Sequence, residues 1–472
     1  QQNKMLKPPR FIIFLCCLLL PVTTMAIDGL ELSIGKWSLE ELQAENIDIN
    51  VTLTEKGLGF IARADSVQLA PPIGLISQLV LNCNELRMFA GQFSCARGQV
   101  SFQQKELGLQ KLDFEVELRP DDDKYKVEIE NLSLASALFS VTFIVKDERW
   151  KVFADTPQVS LPSLISFLSP YMQAEQLEVL ANWSIDGELK LDIDLKGQAN
   201  QLNEIELDLA SSAVNLSDSQ GMYVSEGLAS TLSLEARQNK QDWQWKTAVS
   251  IDNGQGYAEP VFIDFSTTPI IFQADGTWFA KDAVLHVNDM VLEQQTVTQL
   301  HGNLRANLDG LISLNLEVKK SQMAAVYSAW VQPFVVGTAL DNLELLGDMT
   351  VEFKQKGGNY QLAVGLDKAF IHEQAGLFSI DELTGVFAWT NYDVPIESEL
   401  HWERASIYAL PLGASTIKAQ AKPSSFLLLE PWVLPILDGE LKLKEFSLQQ
   451  LDEAQVQWHF GGELTPISME SL

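Results

Sequence analysis

Along residues 186–195, Asp-Gly-Glu-Leu-Lys-Leu-Asp-Ile-Asp-Leu, apolar and polar side chains alternate one by one. Leu189, Leu191, Ile193 and Leu195 fall on one side, and Lys190, Asp192 and Asp194 on the other. A period of two predicts a strand with one dry and one wet face, and the Asp-Gly ahead of it is a turn signal. The words Asp-Gly-Glu-Leu-Lys-Leu return at 438–443, with Leu441 and Leu443 as the apolar pair. Leu232 and Leu234 belong to another such segment, and Leu314, Leu316 and Val318 to a third. Nearer the start, Leu112, Phe114, Val116 and Leu118 alternate with acids, the chain turns at Asp121-Asp122-Asp123, and Tyr125, Val127 and Ile129 resume the alternation. That pattern predicts an antiparallel hairpin with a single apolar face. The stretch from Gly29 reads as short strands broken by Gly and Pro, such as 47–53 and 67–69.

The period changes twice. Ser160-Leu161-Pro162 has the form of a helix start, and Leu161, Leu164, Ile165 and Leu168 keep helical spacing up to Pro170. Residues 177–180 then read as a link into the strand after Gly187. From Ser321 the spacing recurs: Met323, Val326, Tyr327, Trp330 and Val331 share a face, Pro333 follows, and Gly347 opens the next strand. The two glycines are 160 residues apart, which predicts an internal duplication. Residues 465–469 read as a third helix start.

The predicted division is therefore 1–26 as a signal peptide or signal anchor and 27–159 as an N-terminal β segment. Residues 160–320 and 321–464 follow as two helix-plus-sheet repeats, and 465–472 as the start of a third unit. Residues 5–26 carry Lys7 and Arg10, ten apolar residues at 11–20 and a near small-x-small site at Thr24-Met25-Ala26; Met5 is the expected start. The apolar run is also long enough to stay in a membrane as an anchor, and both outcomes stay open. Either way the rest of the chain is expected beyond the inner membrane.

Charge narrows the function. The chain carries a formal −30, and since residues 1–26 hold three of the 33 bases and no acid, the remainder stands at −33. Such a surface repels nucleic acid, so no nucleic-acid partner is expected. Cys83 and Cys95 are the only cysteines after the leader, and in an oxidising compartment they are expected as a structural disulfide; two buried thiols are the other use.

Enzymatic chemistry leaves little trace. The five histidines are scattered, His372-Glu373 lacks a second His, and there is no nucleophile elbow. Gly35-Lys36-Trp37-Ser38 lacks the upstream glycine of a phosphate loop, and Asp192 and Asp194 lack the remaining ligands of a calcium loop. No catalytic residue, metal site or cofactor is assigned. Trp243 and Trp245 share a strand face and are read as packing residues rather than sugar platforms.

What remains is the sheet. The expected fold is mainly β: a long curled antiparallel β-sheet groove with a few short helices and an N-terminal apolar helix. Its dry face must be covered by something, and acyl chains are natural fillers of a long apolar trough. The glycine-led strands at 187–191 and 439–443, the short helices and the stretch 411–469, with Pro-Trp-Val-Leu-Pro-Ile-Leu-Asp-Gly-Glu-Leu-Lys-Leu, resemble the AsmA-like envelope proteins. Within them the chain is most similar to the YdbH branch of intermembrane phospholipid transporters, also called a dicarboxylate transport family. The resemblance implies β-taco-like repeats, phospholipid as cargo, attachment to the inner membrane through the N-terminal segment, and an outer-membrane lipoprotein partner. Leu189, Leu191, Ile193, Leu195, Leu232, Leu234, Leu314, Leu316, Leu441 and Leu443 are the expected groove residues. The alternatives are a ligand-free structural or adhesive β-sandwich, and a carbohydrate-active enzyme or solute-binding protein.

Overall fold

The computed structural model describes residues 29–467, apart from 40–41, 55–56, 70–73, 90, 106, 395, 409 and 452–455. The expected leader, including its apolar helix, lies outside the described residues, as does 468–472 of the expected third unit; 465–467 have no regular structure. No helix among the described residues is long and apolar enough to cross a membrane. The protein is mainly β, and the chain divides into two compact units, Gln1–Leu132 and Ser133–Leu472.

The first unit is an antiparallel meander of β1 (Gly29–Leu39), β2 (Leu42–Thr54), β3 (Gly57–Gln68), β4 (Leu75–Phe89), β5 (Gln92–Gln104), β6 (Gly108–Arg119) and all but the last two residues of β7 (Lys124–Leu134). The strands near its start are longer than the sequence pattern suggests, because the ladder continues through residues of weak strand propensity. The expected hairpin is present: Phe114 faces Ile129, Val116 faces Val127 and Leu118 faces Tyr125 across a turn at Pro120–Asp122. Cys83 and Cys95 form a disulfide between the adjacent strands β4 and β5, with Cα atoms 6.1 Å apart. Both sulfurs are buried with Leu86 and Phe114.

The second unit continues the same logic. After β8 (Ala137–Lys146) and β9 (Arg149–Ser160) come two helices, α1 (Leu161–Leu168) and α2 (Ala174–Ala181). Helix α2 takes in the whole of 177–180, which the sequence pattern reads as a link, because Gln173 and Gln176 build a reciprocal N-terminal cap. The sheet resumes with β10 (Trp183–Asp186), β11 (Glu188–Gln198), β12 (Gln201–Asp218), β13 (Tyr223–Asn239), β14 (Asp242–Ala258), β15 (Val261–Asp264) and β16 (Ile270–Phe279). It continues through β17 (Val284–Gln294), β18 (Thr298–Asn307) and β19 (Gly310–Gln322). The second helical insert follows as an α turn at Met323–Val326, a π turn at Tyr327–Val331 and an α turn at Gln332–Val335, and β20 (Leu343–Lys356), β21 (Asn359–Glu373) and β22 (Phe378–Thr390) complete the long strands.

Both inserts leave the sheet at the same edge. Strands β9 and β19 are eight positions apart in an antiparallel order, so they run the same way. After the first insert come the short β10, positive-φ Gly187 and β11; after the second, positive-φ Gly347 sits inside β20 at a register slip between Leu346 and Asp348. The glycines also share surroundings. A Cβ on Gly187 would lie 2.7 Å from the Ala213 carbonyl oxygen and 2.9 Å from Val214 Cα. On Gly347 it would lie 2.7 Å from the Lys368 carbonyl oxygen and 2.8 Å from Ala369 Cα. No side chain fits either place, and φ is +131° and +99°.

Beyond β22 the strands shorten, from Glu397–Trp402 to Gln457–Leu464, and the packing closes up. Met323 and Tyr327 of the second insert are buried there with Leu345, Ala369, Leu383, Trp402, Leu412 and Leu434. Trp330 and Val331, expected on the same face, are exposed instead, because the π turn rotates them off the packed side.

Candidate functional site

Register turns the separate alternations into one surface. Directly opposed residues of an antiparallel pair project to the same side. Starting at Leu191 on β11, the partners are Leu209, Leu232, Val249, Phe272, Leu292, Leu300, Val318, Val351, Val364 and finally Phe387 on β22. Eleven apolar side chains therefore stand in one row across eleven strands. Ten steps of about 4.8 Å make the row roughly 48 Å long, measured along the sheet.

Flanking rows extend the surface. Ile193, Leu207 and Leu234 line up with Thr247, Ala274, Met290, Gly302, Leu316, Phe353, Leu362 and Trp389. Leu195, Ile205, Ala236, Trp245, Gly276, Val287, Leu304 and Leu314 form the next. Leu189 sits on the other side, between Val159 and Ser211.

All eleven residues of the central row are half-buried; none is sealed and none is fully exposed. Leu189, Ile193, Leu195, Leu234, Leu314, Leu316 and Leu441 are half-buried as well. None of the eleven belongs to the buried cluster around Tyr327 or to the one around Ala419. Leu441 and Leu443 are placed differently: Leu441 packs against the Tyr327 cluster, and Leu443 is buried with Ala419 and Leu428. The structure thus brings eight of the ten expected residues onto one continuous face and sets two in packed cores.

A line of bulges accompanies the row. Register slips between Ser211 and Val214 on β12, Glu226 and Ala229 on β13, Val318 and Ser321 on β19, Leu346 and Asp348 on β20, and Leu366 and Ala369 on β21. Each lies a few residues from the row, toward the edge carrying the helices, whereas the slips between Asp275 and Gly276, Val287 and Met290, and Arg305 and Ala306 lie on its other side. Bulges bend and twist the strand that carries them.

The opposite face is charged. Asp155, Asp192 and Asp208 stand directly across from one another on β9, β11 and β12. Lys190 lies 2.7 Å from Asp192, and this hydrogen bond leads the causes that raise the lysine pKa, with Asp155 and Asp208 adding to it. Nearby, Lys196 reaches Glu206 at 3.0 Å and Glu204 at 3.1 Å, while Lys151 reaches Asp194 at 2.8 Å. A hydrogen bond with Glu206, then one from Lys196, holds the Glu204 carboxyl below the usual range.

Two depressions, of about 270 and 420 Å³, lie on this polar side, where the small residues Ala210, Ser233, Ala248 and Ser250 are ringed by Asp192, Asp208, Gln273 and Asp275. Leu209, Leu232 and Val249 of the apolar row also line the larger one. Among the described residues no cluster of His, Cys, Asp and Glu has the arrangement of a metal site.

No family model, curated protein or solved structure matches this chain.

Proposed function

We propose that the apolar face of the second unit carries phospholipid, and that the sheet curls along its bulge line into a groove for acyl chains. The observation behind this reading is the half-buried row from Leu191 to Phe387. Leaving large apolar side chains partly wet costs about 25 cal/mol per Å² of exposed apolar area, and eleven in register form a strip that hydrocarbon would cover favourably. The acidic opposite face keeps such a strip in water. The sequence resemblance to the AsmA-like transporters supports the same reading, with membrane attachment through the N-terminal segment and delivery toward an outer-membrane partner as its wider setting.

The test is extraction of the purified full chain followed by mass spectrometry. Phospholipid is expected in wild type and is strongly reduced in Leu232→Asp with Val249→Asp, which charge the middle of the row. Thr231→Asp, on the opposite face of β13, is expected to keep it. Lipid-free extracts from folded wild type would remove the reading.

A second reading, a structural β-sandwich without ligand, draws on the packed clusters around Trp402 and Ala419. It predicts that truncating the central row costs as much as truncating a true core.

A further inference from the structure

The second helical insert buries one side and leaves the other bare. Met323 and Tyr327 are buried in the cluster. The Tyr327 hydroxyl donates to the Leu340 carbonyl and, at 2.7 Å, to that of Asp341. Gln332 Nε2 also donates to the Asp341 carbonyl, at 2.9 Å, and Trp330 Nε1 donates to Gln294 Oε1 at 2.8 Å. The Tyr327 and Gln332 bonds close the segment on itself, and the Trp330 bond to Gln294 on β17 ties it to the sheet. From this frame Trp330, Val331, Phe334, Val336 and Leu340 project, with Phe334 64% and Val336 66% exposed.

Charge says what fits over them. Residues 323–342 contain no Lys or Arg and a single acid, Asp341, in a chain whose charged residues make up 20%. Asp341 is spent internally, accepting the Gly337 N–H at 2.9 Å. A protrusion of Trp, Phe, Val and Leu without charge, set in a strongly acidic chain, has the makeup of an interfacial lipid contact. It complements an uncharged headgroup layer, whereas the acidic remainder is repelled by an anionic one. A cationic protein partner would find only Asp341 here to pair with, and an acidic one no base at all.

We propose that residues 323–342 dock the protein on a zwitterionic lipid surface, with Trp330, Phe334 and Val336 entering the headgroup–acyl boundary. This contact does not require the groove to hold lipid.

The experiment is flotation of the full chain with phosphatidylcholine vesicles, with and without added phosphatidylglycerol. Wild type is expected to float with phosphatidylcholine vesicles and to bind less well as phosphatidylglycerol is added. Phe334→Asp with Val336→Asp is expected to weaken binding by about tenfold or more. Both side chains are mostly in water, so the fold is retained, which an unchanged melting transition verifies. Leu177→Asp with Val179→Asp, on α2, is the control and is expected to bind like wild type. Failure of wild type to float, preference for anionic vesicles, equal loss in the control, or a self-association that Phe334→Asp abolishes would each overturn the proposal. Phospholipid extracted from the purified protein reads the groove separately, so the two ideas fail independently.

Discussion

The indole of Trp245 lies across Gly276: a Cβ on that glycine would come within 2.7 Å of Trp245 Cζ2 and 2.1 Å of the His286 carbonyl oxygen. The two residues face each other on β14 and β16, where an empty position beneath a large ring lets neighbouring strands keep their register. Gly276→Val is therefore expected to destabilise the second unit by about 1–3 kcal/mol. Thermal unfolding checks this, and an unchanged midpoint would mean that both the ring and the backbone at His286 give way freely.

Truncation separates an open face from a closed core. Leu345 is buried in the Tyr327 cluster, and Leu345→Ala is expected to cost about 2–5 kcal/mol. Leu232 is only half-buried, and Leu232→Ala is expected to cost less than about 2 kcal/mol. Chemical denaturation of the two variants compares them directly. Equal costs would favour the sandwich reading.

The disulfide between β4 and β5 closes a short loop, Cys83 and Cys95 being 12 residues apart. Its removal in Cys83→Ser with Cys95→Ser is expected to lower stability by about 3 kcal/mol, confined to the first unit. A reductant is expected to reproduce the shift in wild type and to leave the double variant unaffected.

Acid sensitivity follows from Glu117. A hydrogen bond from Arg119, aided by Lys124, holds its carboxyl below the ordinary value of 4.5. With the folded pKa beneath the unfolded one, the pairing stabilises above the unfolded value and is lost as pH falls through the folded value. The melting temperature of wild type is expected to drop more steeply below about pH 4.5 than that of Glu117→Gln. Parallel curves would assign the acid response to other carboxylates.

Single strands were easy to read because alternation is local. Leu189 to Leu195, and the hairpin around Asp121–Asp123, needed only a period of two. The row from Leu191 to Phe387 was not readable, because it depends on the register of ten strand pairs, set by turns and bulges far apart in sequence. Some bulges are marked by glycine, as at Gly347. Others sit at Lys368 and Glu382, ordinary residues held at positive φ by the strands around them. Helix α2 escaped because its cap uses two glutamines rather than Ser, Thr, Asp or Asn. Leu441 and Leu443 repeat the words of the first strand but pack against earlier elements, from Met323 to Leu434, so an identical pattern meets a different neighbourhood.

Each long strand up to β22 bonds chiefly to the strands beside it in sequence. Contacts of short sequence separation demand little loop-closure entropy, so the polypeptide can zip up hairpin by hairpin, in the order it emerges from synthesis. Every unfinished stage then presents one raw ladder edge as template for the next strand. Speed of assembly is gained at the risk of capturing a foreign strand, and the densely acidic side of the sheet is the chain's protection during that interval.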